Sequence, residues 1–404
     1  MNELKQQLQQ QLRQHLDQRD ALMDELSDED LRDHATRYLS AQAAASEQHH
    51  HLIREVVDEA IGLGPLEPLL GDESVSEIMV NRFDQIFIEQ SGRLQQAPIQ
   101  FSSEQALRRA IDRIVLPLGR HVDDASPMVD ARLKDGSRVN AVIPPLALKG
   151  SCLTIRKFAA KPLTLDDLIA SGSLSAAAAK FLILAVQCRQ NIIVSGGTGT
   201  GKTTLLNTLS SNIPAGERVI TIEDAAELQL GHENLISLEA RPKNQEGQGA
   251  VGIRELVINA LRMRPDRLVV GECRGAEALD MLQAMNTGHA GSLSTVHANT
   301  ARDALRRLEV MVLMGGIELP VIAIRQQVAS AVDIIVQIAR LSNGRRVVMS
   351  INEVTGLDGD TLQVASLFER TRQSGQLESC QTLCQFAQQQ DDQVQAQLMD
   401  CLVN

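Results

Sequence analysis

Gly196-Gly197-Thr198-Gly199-Thr200-Gly201-Lys202-Thr203-Thr204 decides how the rest of the chain is read. The stretch fits G-x-x-x-x-G-K-[ST], the spacing of a phosphate-binding loop. Before it, Asn191-Ile192-Ile193-Val194-Ser195 is a short apolar run that reads as a buried strand. After it, Thr203-Thr204-Leu205-Leu206-Asn207-Thr208-Leu209 reads as the opening of a helix. Glycines let the backbone wrap an anion without a Cβ clash. Successive N–H groups and the helix N-terminus then bind the negative charge. Lys202 is placed to reach the β- and γ-phosphates of ATP, and the Thr203 hydroxyl to ligate Mg²⁺.

The 404 residues suffice for two or three domains with real cores. The apolar fraction is 43% and the formal net charge −12, with a sequence pI of about 5.3. That balance speaks against a nucleic-acid-binding face. The absence of Trp and the single tyrosine, Tyr38, speak against a stacking surface for single strands. Six cysteines (Cys152, Cys188, Cys273, Cys380, Cys384 and Cys401) show no C-x-x-C spacing and are expected as reduced thiols. Cys380 and Cys384 read as small apolar residues on one helix face. The start, Met-Asn-Glu-Leu-Lys-Gln-Gln, carries no apolar signal region. The most apolar window, Ala176 to Cys188, is interrupted by Lys180 and too short to span a bilayer. The expectation is a cytoplasmic protein that works at a membrane, if at all, from its surface.

Along the chain, Leu4, Leu8, Leu12 and Leu16 make a narrow helical stripe, expected to dock on a partner or to stay solvated. Ser27-Asp28-Glu29-Asp30 opens a second helix ending near Tyr38-Leu39. From His51 to Phe158 the pattern is α+β. Leu52 to Ile61 is helical, Ile78–Asn81 and Gln85–Glu89 are strands, and Ser102-Ser103-Glu104-Gln105 caps a helix that Pro117 ends. Asp135-Gly136 turns a hairpin. A short capped segment, Thr164 to Ile169, lies at the junction. From Leu174 to Val354 strands alternate with helices, the pattern of a mostly parallel sheet. Asn343-Gly344 is expected to turn a hairpin at the far edge of that sheet, and residues 373 to 404 to form a helical or loosely ordered tail.

Three later stretches supply what hydrolysis needs beyond phosphate binding. Arg218-Val219-Ile220-Thr221-Ile222-Glu223-Asp224 and Arg267-Leu268-Val269-Val270-Gly271-Glu272 each run an apolar strand straight into an acid. Ligands sit at such strand ends in α/β sheets. Glu223 is placed to polarise water, and Glu272 to hold Mg²⁺ or orient the attacking water. Gly288-His289-Ala290-Gly291-Ser292-Leu293-Ser294-Thr295-Val296-His297-Ala298-Asn299 puts a histidine at each end of a short strand. Of the two, His297 is better placed to meet a γ-phosphate or a neighbouring carboxylate.

These four stretches, in this order, resemble the Walker A, Asp box, Walker B and His box of the type II/type IV secretion ATPase superfamily. Leu133-Lys134-Asp135-Gly136-Ser137-Arg138-Val139-Asn140-Ala141-Val142-Ile143-Pro144-Pro145 and Thr154-Ile155-Arg156-Lys157-Phe158 look like the CpaF-type ATPase of tight-adherence (Tad/Flp) pili. So does Gly62-Leu63-Gly64-Pro65-Leu66-Glu67-Pro68-Leu69-Leu70. The fold class this implies is α/β: a RecA-like P-loop NTPase domain preceded by a smaller α+β, PAS-like domain and an N-terminal helical extension. The segments are 1–48, 49–158, 159–173 (linker), 174–358 and 359–404 (tail). The resemblance further implies a homohexamer with ATP and Mg²⁺ between the two domains of each subunit. Glu223 takes the place of general base, Glu272 of Walker B acid and metal ligand. Arg132 and Arg138 take the place of phosphate-binding arginines of the N-terminal domain, with Arg120 and Arg156 as further candidates. The motor would sit at the inner face of the inner membrane, driving a pilus platform protein, with no nucleic-acid partner. A type IV secretion channel ATPase and an ATP-gated regulatory module are the alternatives.

Overall fold

The computed structural model describes residues 28–42, 47–158, 162–241, 248–316, 318–371 and 374–403, with isolated positions 7, 8, 10–12, 14 and 243. The chain divides into two units, Met1–Ala160 and Lys161–Asn404.

In the first unit, helices α1 (Asp28–Gln42) and α2 (Glu47–Ile61) lead into the short α3 (Glu67–Gly71). Leu8 and Leu12 are buried against Ala35, Leu39, Ile53, Val56 and Val57. Part of the leucine stripe therefore closes a helical cluster of its own chain; Leu4 and Leu16 lie outside the described residues. Buried Glu59 of α2 accepts the Ser102 N–H at 2.9 Å. Arg113 of α4 (Glu104–Val115) donates to the Gly62 carbonyl at 2.6 Å.

Six strands follow: β1 (Val75–Arg82), β2 (Gln85–Gln90), β3 (Arg93–Gln96), β4 (Met128–Arg132), β5 (Arg138–Val142) and β6 (Cys152–Arg156). They form an antiparallel sheet in the order β3-β2-β1-β6-β5-β4. Ser103 caps α4 by accepting the Ala106 N–H. One face of α4, with Leu107, Ile111 and Ile114, packs with Ile78, Val80, Ile86, Val139, Leu153 and Ile155. Alternation leaves the other sheet face polar.

In the second unit nine strands run in the order β15-β14-β13-β12-β7-β11-β10-β8-β9. Six are parallel: β7 (Ile192–Gly196), β8 (Val219–Glu223), β9 (Leu235–Glu239), β10 (Arg267–Cys273), β11 (Leu293–His297) and β12 (Ile334–Arg340). The antiparallel strands β13 (Arg346–Asp358), β14 (Thr361–Arg370) and β15 (Leu377–Ser379) extend one side. Helices α5 (Leu165–Ala170), α6 (Ala176–Gln187), α7 (Lys202–Ser210) and α12 (Asp392–Val403) share one core with Ile192 and Val194. Helices α8 (Ile253–Ala260), α9 (Glu277–Asn286), α10 (Ala301–Met314) and α11 (Val321–Ala331) share the other with Ile193. Cover on both faces explains why β7 is buried throughout instead of alternating.

Three expectations are corrected. Asn343-Gly344 does turn the β12–β13 hairpin, but two more strands lie beyond it, so it is not the sheet edge. Within the segment read as a tail, residues 374–403 bury Leu377, Phe386, Leu398, Cys401 and Leu402 in the core. Phe181 meets Phe368 at a tilt and Phe386 edge-on, at ring distances of 5.5 and 5.7 Å. Leu398, Cys401 and Leu402 follow helical spacing, but the surrounding glutamines dilute the signal. Cys380 and Cys384 sit in irregular chain, not on a helix. All six cysteines are free thiols.

Candidate functional site

Parallel register gathers the sequence motifs at one edge of the second sheet. The strand order β7-β11-β10-β8 places the carboxyl ends carrying Gly196, His297, Glu272 and Glu223 on successive strands. His297 is the register partner of Gly196.

The loop from Gly196 to Gly201 joins β7 to α7. Gly199 and Gly201 have φ of 68° and 95°, which side-chain-bearing residues rarely adopt. A Cβ on Gly196 would lie 2.6 Å from the Ile338 carbonyl oxygen and 2.7 Å from Thr200 Oγ1. Thr200 Oγ1 and the buried Lys202 Nζ donate to the Gly197 carbonyl at 2.9 and 3.0 Å. Gly197 and Thr203 are half-buried, while Thr198 and Thr204 are exposed. His297 is half-buried, and its Nε2 lies 3.5 Å from Thr198 Oγ1. Burial, then the Lys202 ammonium, push its pKa below the usual imidazole range, which keeps it neutral at pH 7.

Glu223 is 3% exposed. Its Oε1 accepts the N–H groups of Glu227 and Leu228 at 2.9 and 3.1 Å. Those bonds favour the carboxylate, yet burial outweighs them and pushes the pKa up to about 7. Gly271 on β10 is required beneath it, since a Cβ there would lie 2.9 Å from Glu223 Cγ. Asn207 on α7 accepts the Gln229 N–H at 2.7 Å and ties the loop after β8 to the P-loop helix. Glu272 is half-buried and accepts from Arg274 Nη2 at 2.8 Å. Arg274 Nη1 lies 3.3 Å from Asp224 Oδ2, so one guanidinium bridges the acids of two strand ends. Arg274 follows Glu272 by two residues, just past the end of β10.

Arg340 and Arg346 were not legible as site residues. Arg346 Nε donates to the Gly199 carbonyl at 3.0 Å. Only the pairing of β12 with β7 brings them there. Arg132 and Arg138 lie in the first unit, where they are register partners across the β4–β5 hairpin. Arg138 also pairs with Arg156 on β6, making a row of three arginines on the polar face. Arg156 Nε donates to Glu77 Oε1 at 2.8 Å. Arg120, half-buried, donates to the Asp130 carbonyl.

Residues 59–400 match the family described as type II/IV secretion system protein. The chain belongs to this family. It is one of the family's ATPases, and the P-loop site is the one expected of such an enzyme. A putative conjugal transfer protein of Mycobacterium tuberculosis is 41% identical to this secretion ATPase over 300 residues, covering 73% of this chain and 85% of the relative. The type IV secretion system protein VirB11 of Bartonella henselae is 34% identical over 334 residues, covering 72% and 92%. These relatives are named for conjugal transfer and type IV secretion, so the likeness holds at the level of the family and not specifically of its CpaF type. Among solved structures, the ATPase DotB of Yersinia pseudotuberculosis has a TM-score of 0.54 at 18% identity, covering 75% of this chain and 80% of that one. It matches the mixed α/β, two-domain fold. No helix among the described residues is long and apolar enough to cross a membrane.

Proposed function

We propose that this secretion ATPase hydrolyses ATP to drive a type IV secretion or conjugation channel. The observation that carries the chemistry is the meeting of the P-loop, His297, Glu272 and Glu223 at four neighbouring strand ends. The observation that favours a channel is the similarity to conjugal transfer and VirB11 relatives over most of their lengths.

In this reading the loop N–H groups and Lys202 bind the phosphates. Glu223, with a pKa near neutrality, takes the proton of the attacking water. Neutral His297 donates a hydrogen bond to the γ-phosphate oxygens and senses their loss. Mg²⁺ fits the donors: Thr203 and Glu272 offer hard oxygen ligands, and no cage of three His, Cys, Asp or Glu exists among the described residues. Such a cation takes few protein ligands and draws the rest from phosphates and water. When bound it neutralises charge on the phosphates. Arg132 and Arg138 supply guanidinium forks from the first unit, and subunits assemble as a homohexamer.

A second reading, assembly of a Tad pilus, rests on the text of residues 133–145 and 154–158. The test is a deletion strain complemented with wild type or Lys202→Ala. Loss of plasmid or protein transfer with surface pili intact supports the channel. Loss of pili with transfer intact replaces it with the pilus motor. In vitro, Lys202→Ala is expected to abolish Mg²⁺-dependent turnover; near-normal turnover sinks the P-loop assignment.

A further inference from the structure

We propose that Arg346 is a positioning residue that holds the phosphate loop in its binding shape from the β12–β13 hairpin of the same chain. The role rests on the nucleotide-binding reading of the loop. Arg346 Nε donates to the carbonyl of Gly199 at 3.0 Å, and Gly199 is one of the two loop glycines with positive φ. Its Cδ lies 3.4 Å from where a Cβ on Gly201, the other, would stand. The side chain therefore spans both left-handed positions of the loop.

A peptide unit is planar and trans, so turning the Gly199 carbonyl toward Arg346 turns the N–H of Thr200 the opposite way. Convergent N–H groups are what make such a loop an anion site. Arg346 sits on the carbonyl side, and its Nε acts on the ligand through the loop.

The hairpin is a firm base for this task. Its stem pairs with the P-loop strand, Ile338 opposite Gly196. The Arg346 carbonyl accepts from Ser173 Oγ at 2.6 Å, and the Val348 N–H donates to the Ser173 carbonyl at 2.9 Å. Arg340 is the cross-strand partner of Arg346, and its Nη1 lies 3.9 Å from where a Cβ on Gly199 would stand.

Calorimetric titration with ADP and with ATP, at low and high salt, separates positioning from bulk charge. The proteins are wild type, Arg346→Ala, Arg346→Lys and Arg340→Ala. Arg346→Ala is expected to bind both nucleotides about tenfold more weakly, the worth of one good hydrogen bond, with thermal stability unchanged. The loss persists at high salt, and Arg346→Lys recovers part of it by restoring a donor. Unchanged affinity overturns the role. So does a loss that disappears at high salt and equals that of Arg340→Ala, since charge alone then acts. A loss confined to ATP overturns it in favour of direct γ-phosphate contact. Wild-type protein that binds no ADP overturns the phosphate-loop reading itself, and this role with it. Binding by wild type with an unaffected Arg346→Ala variant overturns this role alone.

Discussion

In the proposed reaction Glu223 is one buried carboxyl on which both activity and stability turn. Its pKa lies at about 7 in the fold, above the usual carboxylate range. The unfolded chain ionises first as pH rises, so the cost of keeping Glu223 buried grows from about pH 4.5 to 7 and then levels. A glutamine carries no such cost. Glu223→Gln is therefore expected to be more stable than wild type by on the order of 3 kcal/mol at pH 8. The gap closes toward pH 4.5, measurable as paired denaturant midpoints across pH. The same variant is expected to bind ATP but lose about a hundredfold or more in turnover, as removal of a general base does. Wild-type turnover should climb with pH through about 7. A flat pH profile, or a variant that fails to bind, would make Glu223 a structural residue. Sequence located Glu223 because an apolar strand ends on it. Its burial was not legible, because that depends on Gly271 of a neighbouring strand and on backbone donors four and five residues ahead.

At the scale of elements, strands and helices were legible wherever the apolar pattern was dense, as in β7, β8 and α4. Pairing partners were not. Arg346 reached the P-loop through a sheet neighbour more than a hundred residues away in sequence, and no local spacing encodes that. Arg267 at the start of β10 is a second case. Its guanidinium is fully buried, bonded to Glu217 and to the carbonyls of Gly291 and Val186 at 2.9 Å each. It pins β10 to the end of α6 and to the turn before β11. Glu217→Ala leaves that charge buried without its carboxylate, which typically costs about 3 to 5 kcal/mol. Equilibrium denaturation should show a fall of that order, while the double variant Arg267→Met with Glu217→Ala, which removes both charges, should cost less. An equal or greater loss for the double variant would mean that packing, not charge, holds this corner.

At the scale of the whole molecule, the sequence pattern reads residues 159–173 as a linker, and contacts divide the chain into two units at 160/161. The segment read as a tail was the larger surprise. It closes the core that also holds α6 and the P-loop strand. Leu402 is 1% exposed, so Leu402→Ala is expected to cost about 2 to 4 kcal/mol. The nucleotide-binding unit should lose its thermal transition to lower temperature accordingly. A change under about 0.5 kcal/mol, as at ordinary surface sites, would return the segment to the status of an appendage.

The same closure has a consequence in time. Phe181 and its neighbours on α6 wait for partners at Phe368, Phe386 and Leu398, about 200 residues later in sequence. At synthesis rates of roughly 5 to 20 residues per second, α6 emerges tens of seconds before its cover exists. During that interval an almost wholly apolar helix, Ala176–Gln187, is open to water. The nascent chain thus presents a sticky segment long before it can bind a nucleotide. Slowing its release from the ribosome, or removing the holding chaperones that shield such segments, should lower its yield more than that of the first unit expressed to the same level.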